Sequence, residues 1–129
     1  MMARILIVDD SPTITQSLAN ILARDDHVVC DLKNFADLPS FMRSQQPDAI
    51  ILDLEMPALS GVAFAHFVRK CESRPTPILL HSSQPMARLE AAAKEIGAAG
   101  VLPKGTPERE LRATINRILD GAGKGPRAA

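Results

Sequence analysis

Four short apolar runs in this 129-residue chain end in groups that can do chemistry. Residues 3–8 lead into Asp9 and Asp10, and residues 49–52 lead into Asp53, with Glu55 two positions on. Residues 78–81 lead into Ser82, and residues 101–103 into Lys104. One acid after a strand is often only a turn residue or a helix cap. Three carboxylates, a hydroxyl and an ammonium from four separate strand ends are not required by any turn or cap. Clustered carboxylates repel one another in a low-dielectric cleft, so they hold protons or recruit a divalent cation. Oxygen donors select a hard ion, Mg²⁺, for which Mn²⁺ can substitute. A cation, the Lys104 ammonium and the Ser82 hydroxyl around one free carboxylate form a receptacle for a phosphoryl group. Asp53 is the candidate nucleophile, and its product would be an acyl phosphate.

This reading needs elements that bring the four strand ends together. Residues 5–8, 49–52 and 78–80 are apolar throughout, as in strands buried on both faces. The valine-rich stretch 27–32 has acidic neighbours and reads as an edge strand; residues 101–103 form a brief last one. Helical spacing separates them. Ile14, Leu18, Ile21 and Leu22 follow a Ser11 cap and Pro12; Leu38, Phe41 and Met42 follow an Asp37 cap. Phe64, Phe67, Val68 and Cys71 form the third stripe. Met86, Leu89, Ala93 and Ile96 form the fourth, closed by Gly97, and Leu111, Ile115, Ile118 and Leu119 the fifth. Strands alternating with helices predict an α/β fold with a parallel sheet covered on both faces. In a parallel sheet all strand C-termini share one edge, which would collect Asp9, Asp10, Asp53, Ser82 and Lys104.

The composition narrows the function classes. The length suits one domain, and 46% hydrophobic with 23% charged residues suits a chain that folds on its own. Fifteen basic and fifteen acidic residues cancel, which removes the global field behind non-specific nucleic-acid or membrane-surface binding. No nucleic acid and no membrane is expected as a partner. Cys30 and Cys71 stand apart without a Cys-x-x-Cys or a partnering histidine and read as small buried hydrophobes in a reducing compartment. The first apolar run is too short for a signal-peptide core and no run has the length of a membrane span, so a cytoplasmic protein is expected. Residues 122–129 carry Gly, Pro, Ala and basic side chains without periodicity and are expected to be a tail or linker stub after a domain of residues 1–121.

The chain resembles the receiver domain of bacterial two-component response regulators. The resemblance runs from Ile5 to about Leu119. It rests on Val8-Asp9-Asp10-Ser11, on Asp53-Leu54-Glu55-Met56-Pro57 with Gly61 eight residues after Asp53, on Pro77 and the apolar run to Ser82, and on Gly97-Ala98-Ala99-Gly100 before Lys104. It implies a doubly wound five-stranded sheet of order 2-1-3-4-5, a flavodoxin-like three-layer sandwich with five helices. It implies that Asp53 is phosphorylated by a sensor histidine kinase or a phosphotransfer protein. Mg²⁺ would be held by Asp10, Asp53 and the Glu55 backbone carbonyl, with Asp9 acting through water. Ser82 and Lys104 would report phosphorylation by moving toward the phosphoryl group, and a downstream protein would read the change on the face of the last two helices and the last strand. Such a domain is not an enzyme beyond phosphorylating itself and slowly losing the acyl phosphate. The chain departs from the family pattern twice. Val101 stands where an aromatic usually lies three residues before the lysine, and Gly105 follows Lys104 where proline is usual.

Two other classes accommodate parts of this pattern. A receiver-like interaction module that no longer switches is suggested by Val101. A phosphatase of the haloacid-dehalogenase type also uses a strand-end aspartate, but it requires a second aspartate where this chain has Glu55. Glu55 and Ser83 flank the site and read either as tuners of water access or as loop solvation. His81 reads as a hydrogen-bonded core residue before it reads as a pH-sensitive neighbour or phosphoacceptor. His27 and His66 read as surface or helix residues. Arg109, Arg112 and Arg117 mark the solvated side of the last helix, where a partner or a second copy of the domain could dock.

Overall fold

The sheet strands are short and apolar because both of their faces are covered. Every residue of β3 (Ala49–Leu52) and β4 (Ile78–Ser82) is buried. β1 (Arg4–Val8) exposes only its first residue, β2 (Val28–Cys30) lies at one edge and β5 (Gly100–Pro103) at the other. In this computed structural model, which describes residues 2–32, 34–57 and 59–123, all four strand pairings are parallel. The order is β2-β1-β3-β4-β5, as the resemblance implied.

The helices are α1 (Pro12–Ala23), α2 (Leu38–Gln45), α3 (Gly61–Cys71), α4 (Met86–Ile96) and α5 (Glu108–Gly123). They divide the core in two. Leu6, Val8, Ile50, Leu52, Ile78 and Leu80 pack with α2, α3 and α4, around a fully buried Phe64. Ile5, Ile7, Ile51, Leu79 and Leu102 point the other way and pack with α1 and α5 through Leu18, Leu22, Leu111, Ile115 and Leu119. Alternation along each strand produces the two sets, because successive side chains leave a strand on opposite faces.

Several local expectations are modified. Ser11 caps α1 by accepting from the Ile14 amide, and Gly97 ends α4 in the left-handed conformation at φ 67°, both as expected. Asp37 sits at the N-terminus of α2 but its side chain makes no capping bond. A 3-10 turn, Phe35–Asp37, comes first, and Asn34 caps that turn instead. Helix α5 continues to Gly123, so the domain boundary expected after Gly121 falls inside a helix. One glycine costs a helix only about 1 kcal/mol, too little to stop a helix by itself. Residues 124–129, the rest of the expected tail, lie outside the described residues. Cys30 and Cys71 are free but half-buried rather than buried.

Candidate functional site

The strand order reverses direction between β1 and β3, and open α/β sheets form a crevice at the carboxyl ends of the strands at such a point. Here β1 delivers Asp9 and Asp10 and β3 delivers Asp53. The register pairs Val8 with Leu52 and Leu52 with Leu80, so one residue further on Asp9, Asp53 and His81 come abreast. Carboxylate oxygens of Asp9, Asp10 and Asp53 all lie within 4.8 Å of one another. The Asp9 and Asp53 side chains are only 3% and 4% exposed, while Asp10 is open to solvent.

Lys104 crosses the sheet to reach them. Its Nζ lies 3.2 Å from Asp53 Oδ2 and 3.2 Å from Asp9 Oδ2. Burial alone would lower the lysine's proton affinity. The hydrogen bond to Asp53 and the contact with Asp9 more than offset this and hold its pKa above the ordinary value. Two features put Lys104 there: its amide donates to Ser82 O at 2.9 Å, docking the turn after β5 on β4, and Gly105 follows it at φ 93°, a conformation that favours glycine. The other Asp53 oxygen, Oδ1, accepts from the Glu55 amide at 3.1 Å. Gly61 opens α3 against this turn, its amide donating to Leu54 O.

Three carboxylates against one ammonium leave two uncompensated negative charges. Asp9 Oδ2, although near the Lys104 nitrogen, is buried and has no aligned hydrogen-bond donor among the described residues. A buried carboxylate oxygen without a directed partner, in an oxygen-only donor set, fits a small hard divalent cation. A cavity of about 340 Å³ opens beside the cluster, lined in part by Asp10, Thr15, Asp31, Phe35 and Met56, and gives access from solvent.

The structure brings Asp9, Asp10, Asp53, Ser82 and Lys104 to one rim as the sequence implied, with Glu55 exposed beside them. Ser82 is fully buried, and its hydroxyl oxygen is engaged by the Gln84 amide at 3.3 Å. Gln84 was not singled out from the sequence; the pattern Ser-x-Gln after a strand, an amide two residues behind a hydroxyl, was the available signal. His81 is buried, but its Nδ1 has no partner among the described residues, contrary to the hydrogen-bonded core role expected. Burial, reinforced by Lys104 and opposed by Asp9 and Asp53, lowers its pKa, so the ring is neutral near pH 7. His66 is exposed on α3 as expected, 3.4 Å from Glu95.

His27, by contrast, is not a surface residue. It is 6% exposed, its Nδ1 accepts from the Ala3 amide at 3.2 Å and its Nε2 meets Asn116 Oδ1 at 2.8 Å. Asn116 in turn donates to Asp25, which Arg112 grips with two bonds of 3.0 and 2.7 Å. Arg112 therefore belongs to a link between α5 and the turn that joins α1 to β2, not to a plain solvated face. Val101 is half-buried against the α2–α4 side of the core, beside Leu80 in the register.

A parallel α/β sheet in this order, with an acid cluster and a lysine at its carboxyl rim, defines a class, and comparison identifies it. Residues 5–116 match the model of the response regulator receiver domain, and the chain belongs to that family. It is a receiver domain of the two-component signalling type, similar over more than nine-tenths of its length to proteins that consist of little else. Protein PilH of Pseudomonas aeruginosa is 34% identical over 121 residues, covering 93% of this chain and all of that one. A protein-glutamate methylesterase/protein-glutamine glutaminase of Geobacter metallireducens is 37% identical over 125 residues, but the chain spans only 34% of its length. The chemotaxis protein CheY4 of Vibrio cholerae superposes with a TM-score of 0.79 at 28% identity, over 92% of this chain and 99% of that one. The non-switching module and the dehalogenase-type phosphatase find no support in these likenesses.

Proposed function

We propose that Asp53 accepts a phosphoryl group from the phosphohistidine of a sensor histidine kinase or a phosphotransfer protein. The Asp53 carboxylate attacks phosphorus, an O–P bond forms, the N–P bond breaks and the imidazole leaves. The observation that carries this reading is the Lys104 ammonium, held 3.2 Å from both Asp53 and Asp9 by a turn 51 residues away in sequence from the acceptor. Lys104 is placed to neutralise the phosphoryl oxygens as charge develops, and Ser82 can donate its hydroxyl hydrogen to them, since the Gln84 amide occupies only the oxygen. Asp9, Asp10 and Asp53, with the Glu55 backbone carbonyl, would hold Mg²⁺. When bound, that ion supplies charge neutralisation for the same oxygens.

The chain's part is positioning and electrostatics, and it turns over no metabolite; slow hydrolysis of its own acyl phosphate is the only further reaction. The signal is a change in affinity for a downstream protein at the face of α4, β5 and α5. Val101 makes the β5 side of that face smaller than an aromatic would. Among the described residues no helix is long and apolar enough to cross a membrane, and a kinase-facing domain of this kind works in the cytoplasm.

Acetyl phosphate with Mg²⁺ tests the reading. Intact-mass measurement should show the gain of one phosphoryl group in the parent and none in Asp53→Asn. An unchanged parent mass would refute the proposal.

A further inference from the structure

The amino-terminal rim of the sheet, at the far end from the acid cluster, carries a second recess of about 880 Å³. It lies between the carboxyl ends of α3 and α5 and the turns that enter β3, β4 and β5. Pro47, Pro75, Pro77, Ile96 and Ile118 give it apolar walls. Arg69, Arg74 and Arg117 line it with one acid, Glu72, and Asp48 pairs with Arg74 from beside the lining residue Pro47, so positive charges still exceed negative by one on a chain whose overall net charge is zero.

The three arginines differ in what they already do. Both terminal nitrogens of Arg69 are engaged: it donates to Glu72 and Thr76 O at 3.1 and 2.8 Å, and to Ile96 O and Gly97 O at 3.3 and 3.2 Å. It ties α3 to the ends of α4 and the β4 turn and needs no ligand. Arg74 reaches Asp48 only at 3.8 Å, the outer limit of an ion pair. Arg117 is exposed on α5 and has no ion-pair partner among the described residues. The exposed Arg117 guanidinium and the half-buried Arg74, held by one long ion pair, therefore border the apolar recess, and both forks suit two-point contact with carboxylates.

The lining also says which anion. The prolines have no N–H, the Thr76 amide is held by Glu72 and the Thr76 hydroxyl donates to Arg74 O at 3.4 Å. A nucleotide, whose base is read by directed hydrogen bonds, meets few free partners here. A single inorganic anion is far smaller than the recess, which is at the upper end of the roughly 300–1,000 Å³ of small-molecule sites. A segment that presents carboxylates and aliphatic side chains together matches both the charge and the walls. We propose that this groove docks an acidic, leucine-rich peptide segment of another protein, with carboxylates on Arg74 and Arg117 and aliphatic side chains against the proline and isoleucine walls. The strands that separate the groove from Asp53 are up to 5 residues long, a span of about 16 Å. Docking here is therefore an anchor that does not require phosphorylation.

The probes are a short fluorescent peptide of alternating glutamate and leucine pairs, the same peptide with lysine for glutamate, and ATP. Each is titrated into the full chain and followed by anisotropy and by amide NMR. The acidic peptide should bind saturably and shift the Thr76, Gly97 and Ile118 amides. Affinity should fall by about tenfold or more in Arg117→Glu, and further in Arg74→Glu/Arg117→Glu, as charged hydrogen bonds of this kind imply. Asp53→Asn should bind as the parent does, which separates this proposal from the phosphorylation reading. Thermal unfolding checks that the variants fold, and exposed Arg117 provides the variant safest in that respect. No saturable binding up to millimolar peptide, equal binding of the lysine peptide, binding unaffected by Arg117→Glu, or occupancy of the same amides by ATP alone would each overturn it.

Discussion

Replacing Gly61 with alanine tests whether the turn that carries Asp53 is set by backbone packing. A Cβ on Gly61 would lie 2.5 Å from the Asp53 carbonyl oxygen and 2.7 Å from Leu54 Cα, whereas ordinary contact begins at 3.4 Å. The atoms must separate by about 0.9 Å, the difference of 3.4 and 2.5. Neither obstacle is a side chain that can rotate away. One belongs to the residue whose carboxylate is the proposed acceptor, and the Gly61 amide bond to Leu54 O, 3.1 Å long, stretches with it. Overpacking of this kind costs about 1–3 kcal/mol, which for a domain of this size lowers the melting temperature by roughly 4 °C per kcal/mol. A shift of about 1 Å at a reacting group can cost up to about 100-fold in rate. The assay pairs thermal unfolding by circular dichroism with the rate of mass gain from acetyl phosphate and Mg²⁺. Gly61→Ala should melt lower and phosphorylate about 10- to 100-fold more slowly. Stability within about 0.5 kcal/mol of the parent, the ordinary range of a surface substitution, together with an unchanged rate, would refute the packing argument. Lost stability with an unchanged rate would show that α3 yields and the Asp53 turn does not.

Removing the ammonium in Lys104→Met leaves the buried Asp9 and Asp53 carboxylates without their shared counter-ion. Breaking a buried pair costs roughly 3–5 kcal/mol, so the variant should melt well below the parent in chelated buffer and recover part of the loss in Mg²⁺; equal losses with and without Mg²⁺ would contradict the charge argument. Bonds from Arg112, then Asn116, hold the Asp25 carboxyl far below the usual carboxylate range. A depressed folded pKa contributes stability that is present above the unfolded value of 3.8 and lost as pH falls below it. Asp25→Ala should therefore melt below the parent at pH 7, with the gap closing on acidification; a gap that persists at low pH would assign the stabilisation to packing instead.

The division between local and tertiary information can be followed residue by residue. The apolar runs before Asp9, Asp53, Ser82 and Lys104, the helical stripes between them and the Gly97 stop are short-range patterns, and each reflects burial or a backbone requirement visible within a few positions. Parallel direction then followed from the alternation, so the gathering of the candidate site at one rim could be read from the chain. The strand order needed the resemblance, since alternation alone does not say which strands are neighbours.

What only the folded molecule decided are contacts between residues with no local relation. Lys104 engages Asp9 as well as Asp53, and Arg69 makes four hydrogen bonds, to three carbonyls and Glu72. His27 reads as a surface or helix residue in the sequence, yet is buried and joined through Asn116 to Asp25 across about 90 positions. Hydrogen bonding and ion pairing have no sequence period. A polar residue in a loop satisfies itself with whatever the packing of two apolar faces brings near, and that is settled only when the sheet and its helices close on one another.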